Sequence, residues 1–78
     1  KGDVYYMKSL SEITKEQVEE LIGRKVSIKF KSLSKSRIGY LIDVYQSNDS
    51  QCFLVLELGF NKFEDRAISR IEKLSIIK

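Results

Sequence analysis

Lys25-Val26-Ser27-Ile28-Lys29-Phe30-Lys31 is the stretch that decides the fold. Val26, Ile28 and Phe30 fall on one side of a period of two, and Lys25, Ser27, Lys29 and Lys31 on the other. That alternation predicts a half-buried strand over 25–31, apolar within and basic without. Downstream, 38–45 reads as a second strand with Ile38, Tyr40, Ile42 and Val44 on one side. Gly39 within it marks a bulge or sharp bend. The polar run 46–51, with Asn48-Asp49-Ser50, reads as a hairpin loop. Residues 52–58 are the most apolar of the chain. Cys52, Leu54, Leu56 and Leu58 face one way and Phe53 and Val55 the other, as in a central strand. After Gly59, 60–64 predicts a fourth strand, Ile68 and Ile71 an I-x-x-I tight turn, and 72–77 a closing strand carrying Leu74 and Ile76.

Upstream, the period is helical. Thr14 is an N-cap, and Gln17 three residues on completes a capping box. Ile13 and Val18 form a hydrophobic staple, and Glu16 complements the dipole of the first turn. Val18, Leu21 and Ile22 share a face, and Gly23 is the stop. The spacing predicts a helix over 14–22, too short to stand alone and so docked on the sheet. Residues 3–10 have β-type composition and predict a short extra strand or an arm. Tyr5 and Tyr6 there serve packing or an interface patch.

The 78 residues allow one domain, 1–78. With 42% hydrophobic and 32% charged residues the composition is that of an ordinary globular chain. The start at Lys1 is what a trimmed chain or a domain cut from a longer protein would have. One cysteine, Cys52, forms no disulfide within the chain, which suits the cytoplasm; its plainest use is as a small core residue. The absence of histidine removes the commonest general base and metal ligand. Neither nucleotide-binding glycine fingerprint is present, and no run of ~20 apolar residues could span a membrane. These exclusions point away from an enzyme, a cofactor or a membrane protein and toward a binding or regulatory module.

The fold class expected is mainly β (α+β): a short helix, then a strongly bent five-stranded antiparallel sheet forming a closed or partly open small barrel. The order of elements resembles the Sm-like barrels: a capped helix, Val26-Ser27-Ile28, Gly39 in strand two, Phe53-Leu54-Val55-Leu56, then Arg66-Ala67-Ile68-Ser69 before the closing strand. The bacterial RNA-chaperone branch, the Hfq-like proteins, is nearest. It carries Lys-His-Ala-Ile-Ser where this chain has Asp65-Arg66-Ala67-Ile68-Ser69, so Arg66 stands for the histidine. Other small bacterial barrels, such as the YolD-like proteins and SH3-like folds, share the same rhythm. The resemblance covers roughly residues 14–76 and implies RNA binding, a bacterial source and a ring-shaped homo-oligomer. It would place Arg66 at an RNA-facing turn.

Charge placement is the best local signal. No acidic residue lies between Leu21 and Ile42, whereas Arg24, Lys25, Lys29, Lys31, Lys35 and Arg37 are all basic. Such a strip can follow a phosphate backbone, and Tyr40 or Tyr45 can stack on bases. The candidate nucleic-acid-binding residues are therefore Lys25, Lys29, Lys31, Lys35, Arg37, Tyr40 and Arg66. The plainer reading is a solvated strand face whose lysines discourage edge pairing, with Arg66 paired to Glu64 or Asp65. Two functions follow: a regulatory barrel for RNA or single-stranded DNA, or a protein-interaction and assembly module of a larger bacterial or phage protein.

Overall fold

Thr14 starts the helix as its neighbours dictate. Its Oγ accepts a hydrogen bond from the Gln17 backbone N–H at 3.2 Å, and its own N–H donates to Gln17 Oε1 at 2.9 Å, closing the capping box. A computed structural model describes the backbone of residues 4–7 and the whole of residues 13–77. Tyr5 and Tyr6 as an interface patch, and the rest of the 3–10 segment, lie outside the described side chains and residues.

The helix α1 (Lys15–Glu19) is shorter than the 14–22 expected. Beyond Glu19 the bonds tighten: Leu21 N–H donates to the Val18 carbonyl and Ile22 N–H to the Glu19 carbonyl, three residues back instead of four. Gly23 then turns at φ 95° and donates its N–H to the Leu41 carbonyl at 2.7 Å, fastening the chain to the sheet. The tighter winding changes which way the last residues point. Val18 and Leu21 are buried, but Ile22, expected beside them, is exposed.

Six strands follow one another in a single antiparallel sheet: β1 (Val4–Met7), β2 (Lys25–Phe30), β3 (Arg37–Gln46), β4 (Cys52–Gly59), β5 (Lys62–Ala67) and β6 (Ile71–Ile77). Their spatial order is β1-β6-β2-β3-β4-β5. The short segment near the N-terminus is thus a sixth strand. The sheet is open, because β1 occupies the edge of β6 that closure onto β5 would need. The fourth expected strand, 60–64, is displaced to Lys62–Ala67: Phe60 and Asn61 form the turn, with Asn61 in the left-handed region at φ 57°. The I-x-x-I turn is a 3₁₀ turn at Ile68–Arg70, and Lys31 N–H holds the Arg70 carbonyl at 2.8 Å.

One apolar cluster fills the inner side of the sheet beneath α1. Val26, Ile28 and Phe30 of β2, Leu54 and Leu56 of β4 and Leu74 of β6 are fully buried in it, and Cys52 packs at its border. No polar side chain among the described residues is buried.

β3 departs from its expected facing. Leu41 pairs with Leu56 and Asp43 with Val55, so Ile42 is an extra residue, a bulge. The bulge resets the parity of the strand. Gly39, Leu41 and Val44 face inward; Ile38, Tyr40 and Ile42, expected in line with Val44, face solvent. The bulge expected at Gly39 is therefore at Ile42. Gly39 serves a different need: a Cβ there would overlap the Glu57 carbonyl oxygen and stand 3.0 Å from its carbon.

Candidate nucleic-acid interface

β2 and β3 set the outer face by their register. Lys25 stands directly opposite Tyr40, and Ser27 opposite Ile38. Side chains so paired have Cβ atoms ~5 Å apart. The row continues across the sheet, because Tyr40 pairs with Glu57 and Glu57 with Phe63. It therefore runs cation, aromatic ring, carboxylate, aromatic ring. Ile38 is 52% exposed, Tyr40 47% and Phe63 57%, and Phe60 in the following turn is 93% exposed. Lys25, Ile38, Tyr40, Glu57, Leu58 and Phe60 line a shallow groove of about 440 Å³.

On the same face Lys29 stands opposite Lys73. Lys29 is committed elsewhere: its Nζ donates to Glu72 Oε1 at 3.1 Å and to the Phe30 carbonyl at 2.9 Å. Lys31, just beyond β2, and Lys35, in the following loop, are exposed. Like that of Lys25, their ammonium groups have no hydrogen-bonding or ionic partner among the described residues.

Arg37 and Arg66 do not join this face. Arg37 pairs with Ile28 and Arg66 with Leu54, both buried, so the two arginines point to the inner side. There they share one carboxylate. Arg37 Nε donates to Glu64 Oε1 at 3.1 Å, and Arg66 Nη2 to Glu64 Oε2. The Arg66 guanidinium also lies over the Phe30 ring, 5.8 Å from its centroid, and its Nε is buried without a partner among the described residues. Partial burial pushes the Glu64 carboxyl up. The hydrogen bond and charge of Arg66, and then Arg37, outweigh that and hold it below the ordinary carboxylate range. The basic stretch of the sequence is thus divided three ways: Lys25 and Lys29 outside, Lys31 and Lys35 at the loop, Arg37 within.

Tyr45, the alternative stacking ring, is engaged. It stacks on Phe53 with centroids 5.4 Å apart, and its hydroxyl donates to Asp65 Oδ2 at 2.7 Å. That hydrogen bond raises the phenol above its ordinary range. Ile38, Phe60, Phe63, Lys62 and Lys73 were missed as site candidates. Exposed apolar residues beside an expected strand read as core until the bulge at Ile42 is known. Among the described residues no group of three His, Cys, Asp or Glu side chains could hold a metal ion. No helix among them is long and apolar enough to cross a membrane. No family model matches this chain, and no curated protein or solved structure matches it.

Proposed function

We propose that the outer sheet face binds single-stranded nucleic acid, RNA or single-stranded DNA. The observation that carries the reading is Tyr40, exposed and directly opposite the unpaired Lys25, with Phe63 two strands further along the same row. Exposed rings accept unpaired bases by stacking, at ~1–3 kcal/mol per base, and lysines beside them hold the backbone. Glu57 within the row repels phosphate. The strand would therefore lie with its bases toward Tyr40, Phe60 and Phe63 and its phosphates toward Lys25 and, where phosphate replaces the exposed Glu72, Lys29. A duplex, with its bases inside, offers nothing to those rings.

Anisotropy of a labelled oligo-U or oligo-dT tests this, with a duplex of equal length as the contrast. Tyr40→Ala and Phe63→Ala should each weaken binding by about 5- to 100-fold, as loss of one stacked base requires. The salt dependence should be shallow, matching about two or three phosphate contacts. Equal affinity for the duplex, or wild-type affinity in Tyr40→Ala, would remove the proposal.

A second reading, a protein-interaction module, draws on Phe60, 93% exposed beside the edge strand β5. An extended peptide could add to that edge and cover Phe60. Loss of peptide or protein binding in Phe60→Ser, with no oligonucleotide binding in the wild type, would favour it.

A further inference from the structure

Where β3 begins, its first residue meets the turn between β4 and β5. Arg37, Leu58, Asn61, Lys62, Phe63 and Glu64 line a cleft there of about 590 Å³. Its charge is unbalanced. Glu64 is the one carboxylate in the lining, and it is already shared between Arg37 and Arg66. Two cations, Arg37 and Lys62, thus line the cleft with a single anion, and Arg66, outside the lining, neutralises that anion further.

The donors are also unused. Arg37 gives only its Nε to Glu64, so its two Nη groups have no protein partner among the described residues. The same holds for the Lys62 ammonium and the Asn61 amide. Glu64 holds Arg37 in place, so little side-chain freedom remains to be lost on binding. Asn61 is fixed at φ 57° by the turn. A planar guanidinium, an ammonium and an amide around one opening suit a tetrahedral oxyanion of charge near two. Leu58 and Phe63 give the same cleft apolar walls against which a flat ring can lie.

We infer that this cleft binds a phosphate monoester carried on an aromatic base: a nucleotide, or the phosphorylated end of a nucleic-acid strand. A peptide carboxylate offers two oxygens to the Arg37, Lys62 and Asn61 donors, where a phosphate monoester offers three. The inference shares Phe63 with the outer-face proposal but needs neither Tyr40 nor Lys25, so each can fail without the other.

Calorimetric titration with uridine monophosphate, uridine and inorganic phosphate tests it. The monophosphate should bind at least about tenfold tighter than the nucleoside, and Lys62→Ala should weaken it by about tenfold. Arg37→Gln should do at least as much, and the exposed Lys62 keeps the test valid if that variant folds poorly. Lys25→Ala should leave monophosphate binding unchanged. The affinity should rise between about pH 5 and 7.5, as the monoester takes its second charge near pH ~6. The charged groups lining the cleft are Arg37, Lys62 and Glu64, and Glu64 stays ionised because its carboxyl is held below the ordinary range. Comparing 5′-phosphorylated with 5′-hydroxyl oligo-U identifies the source. A gain of about tenfold for the phosphorylated strand assigns the site to strand ends; binding of the mononucleotide alone assigns it to free nucleotide. Equal affinity for nucleoside and monophosphate, wild-type affinity in both variants, or tighter binding of a peptide carboxylate than of the monophosphate would overturn the inference.

Discussion

Gly39→Ala should destabilise the protein, against the usual sign of a glycine-to-alanine change within a strand. Ordinarily the added methyl restricts the unfolded chain and stabilises by about 0.4–1 kcal/mol. At position 39 the methyl would overlap the Glu57 carbonyl oxygen, lie 3.0 Å from its carbon and 3.3 Å from Leu58 Cα. All three are backbone atoms of β4 and cannot swing aside as a side-chain tip could. β3 and β4 would have to separate beside the fully buried Leu41 and Leu56. Overpacking of this kind costs about 1–3 kcal/mol, and rigid neighbours place it at the upper end. Less the gain from the unfolded state, the net loss is about 2 kcal/mol. For a domain of this size that lowers Tm by about 8–16 °C.

The other glycines with known surroundings supply the controls. At Gly59 a Cβ would meet nothing within 4 Å, and the backbone is not left-handed, so Gly59→Ala should be neutral or raise Tm slightly. At Gly23 the space is equally open but φ is 95°, so Gly23→Ala should cost about 1–2 kcal/mol through backbone strain alone. Thermal and urea melts followed by far-UV circular dichroism rank the three. A Gly39→Ala protein that melts at or above the wild-type temperature would refute the close approach of β3 and β4.

Three further outcomes test other parts of the fold by the same melts. Thr14→Ala removes the hydroxyl that caps α1 and should cost about 1 kcal/mol, with Gln17→Ala costing less because the cap itself remains. Leu56→Ala, in the middle of the core, should cost about 2–5 kcal/mol and leave little folded protein on warming. Glu64 titrates in the folded protein below its ordinary 4.5, so its contribution to stability is complete above that value. It should be lost as the pH falls through the folded value. Glu64→Gln should flatten the acid limb of a stability–pH curve, and an unchanged limb would show that Arg37 and Arg66 do not depend on it.

The elements that repeat cleanly were readable from the residues. Lys25 to Phe30 keeps strict alternation and Cys52 to Leu58 is apolar on both sides, and β2 with its buried side and β4 between two neighbours are as those patterns require. Thr14 and Gln17 carry a complete capping signature in four residues, so the start of α1 was plain. Its end was not, because the Gly23 N–H is drawn to the Leu41 carbonyl, eighteen positions away in the chain. The facing of β3 failed for a related reason: one unpaired residue, Ile42, reverses everything beyond it, and a bulge leaves no fixed mark in composition. Of the candidate face, the residue types were legible but not their placing: Tyr40 was expected in line with Val44, and only the register of β2 on β3 sets it opposite Lys25. The inner facing of Arg37 and Arg66 follows from register, opposite Ile28 and Leu54, and their shared partner Glu64 lies twenty-seven positions from Arg37.

The reversal of β3 also bears on what the outer face is for. Had the strand kept a single parity, Ile38, Tyr40 and Ile42 would be buried with Val44, and the outside would be polar. Instead the inward places before the bulge are held by Arg37, Gly39 and Leu41, and three large apolar residues are left in water. Polar residues at 38, 40 and 42 would suit an exposed strand better, since Gly39 and Leu41 already fill the inner side. These three half-exposed apolar side chains are what the proposed binding at the Tyr40 face would use. Ser or Thr at 38 and 42 should each leave Tm within about 2–4 °C of wild type while weakening whatever the Tyr40 face binds. A large fall in Tm would mean that these residues belong to packing after all.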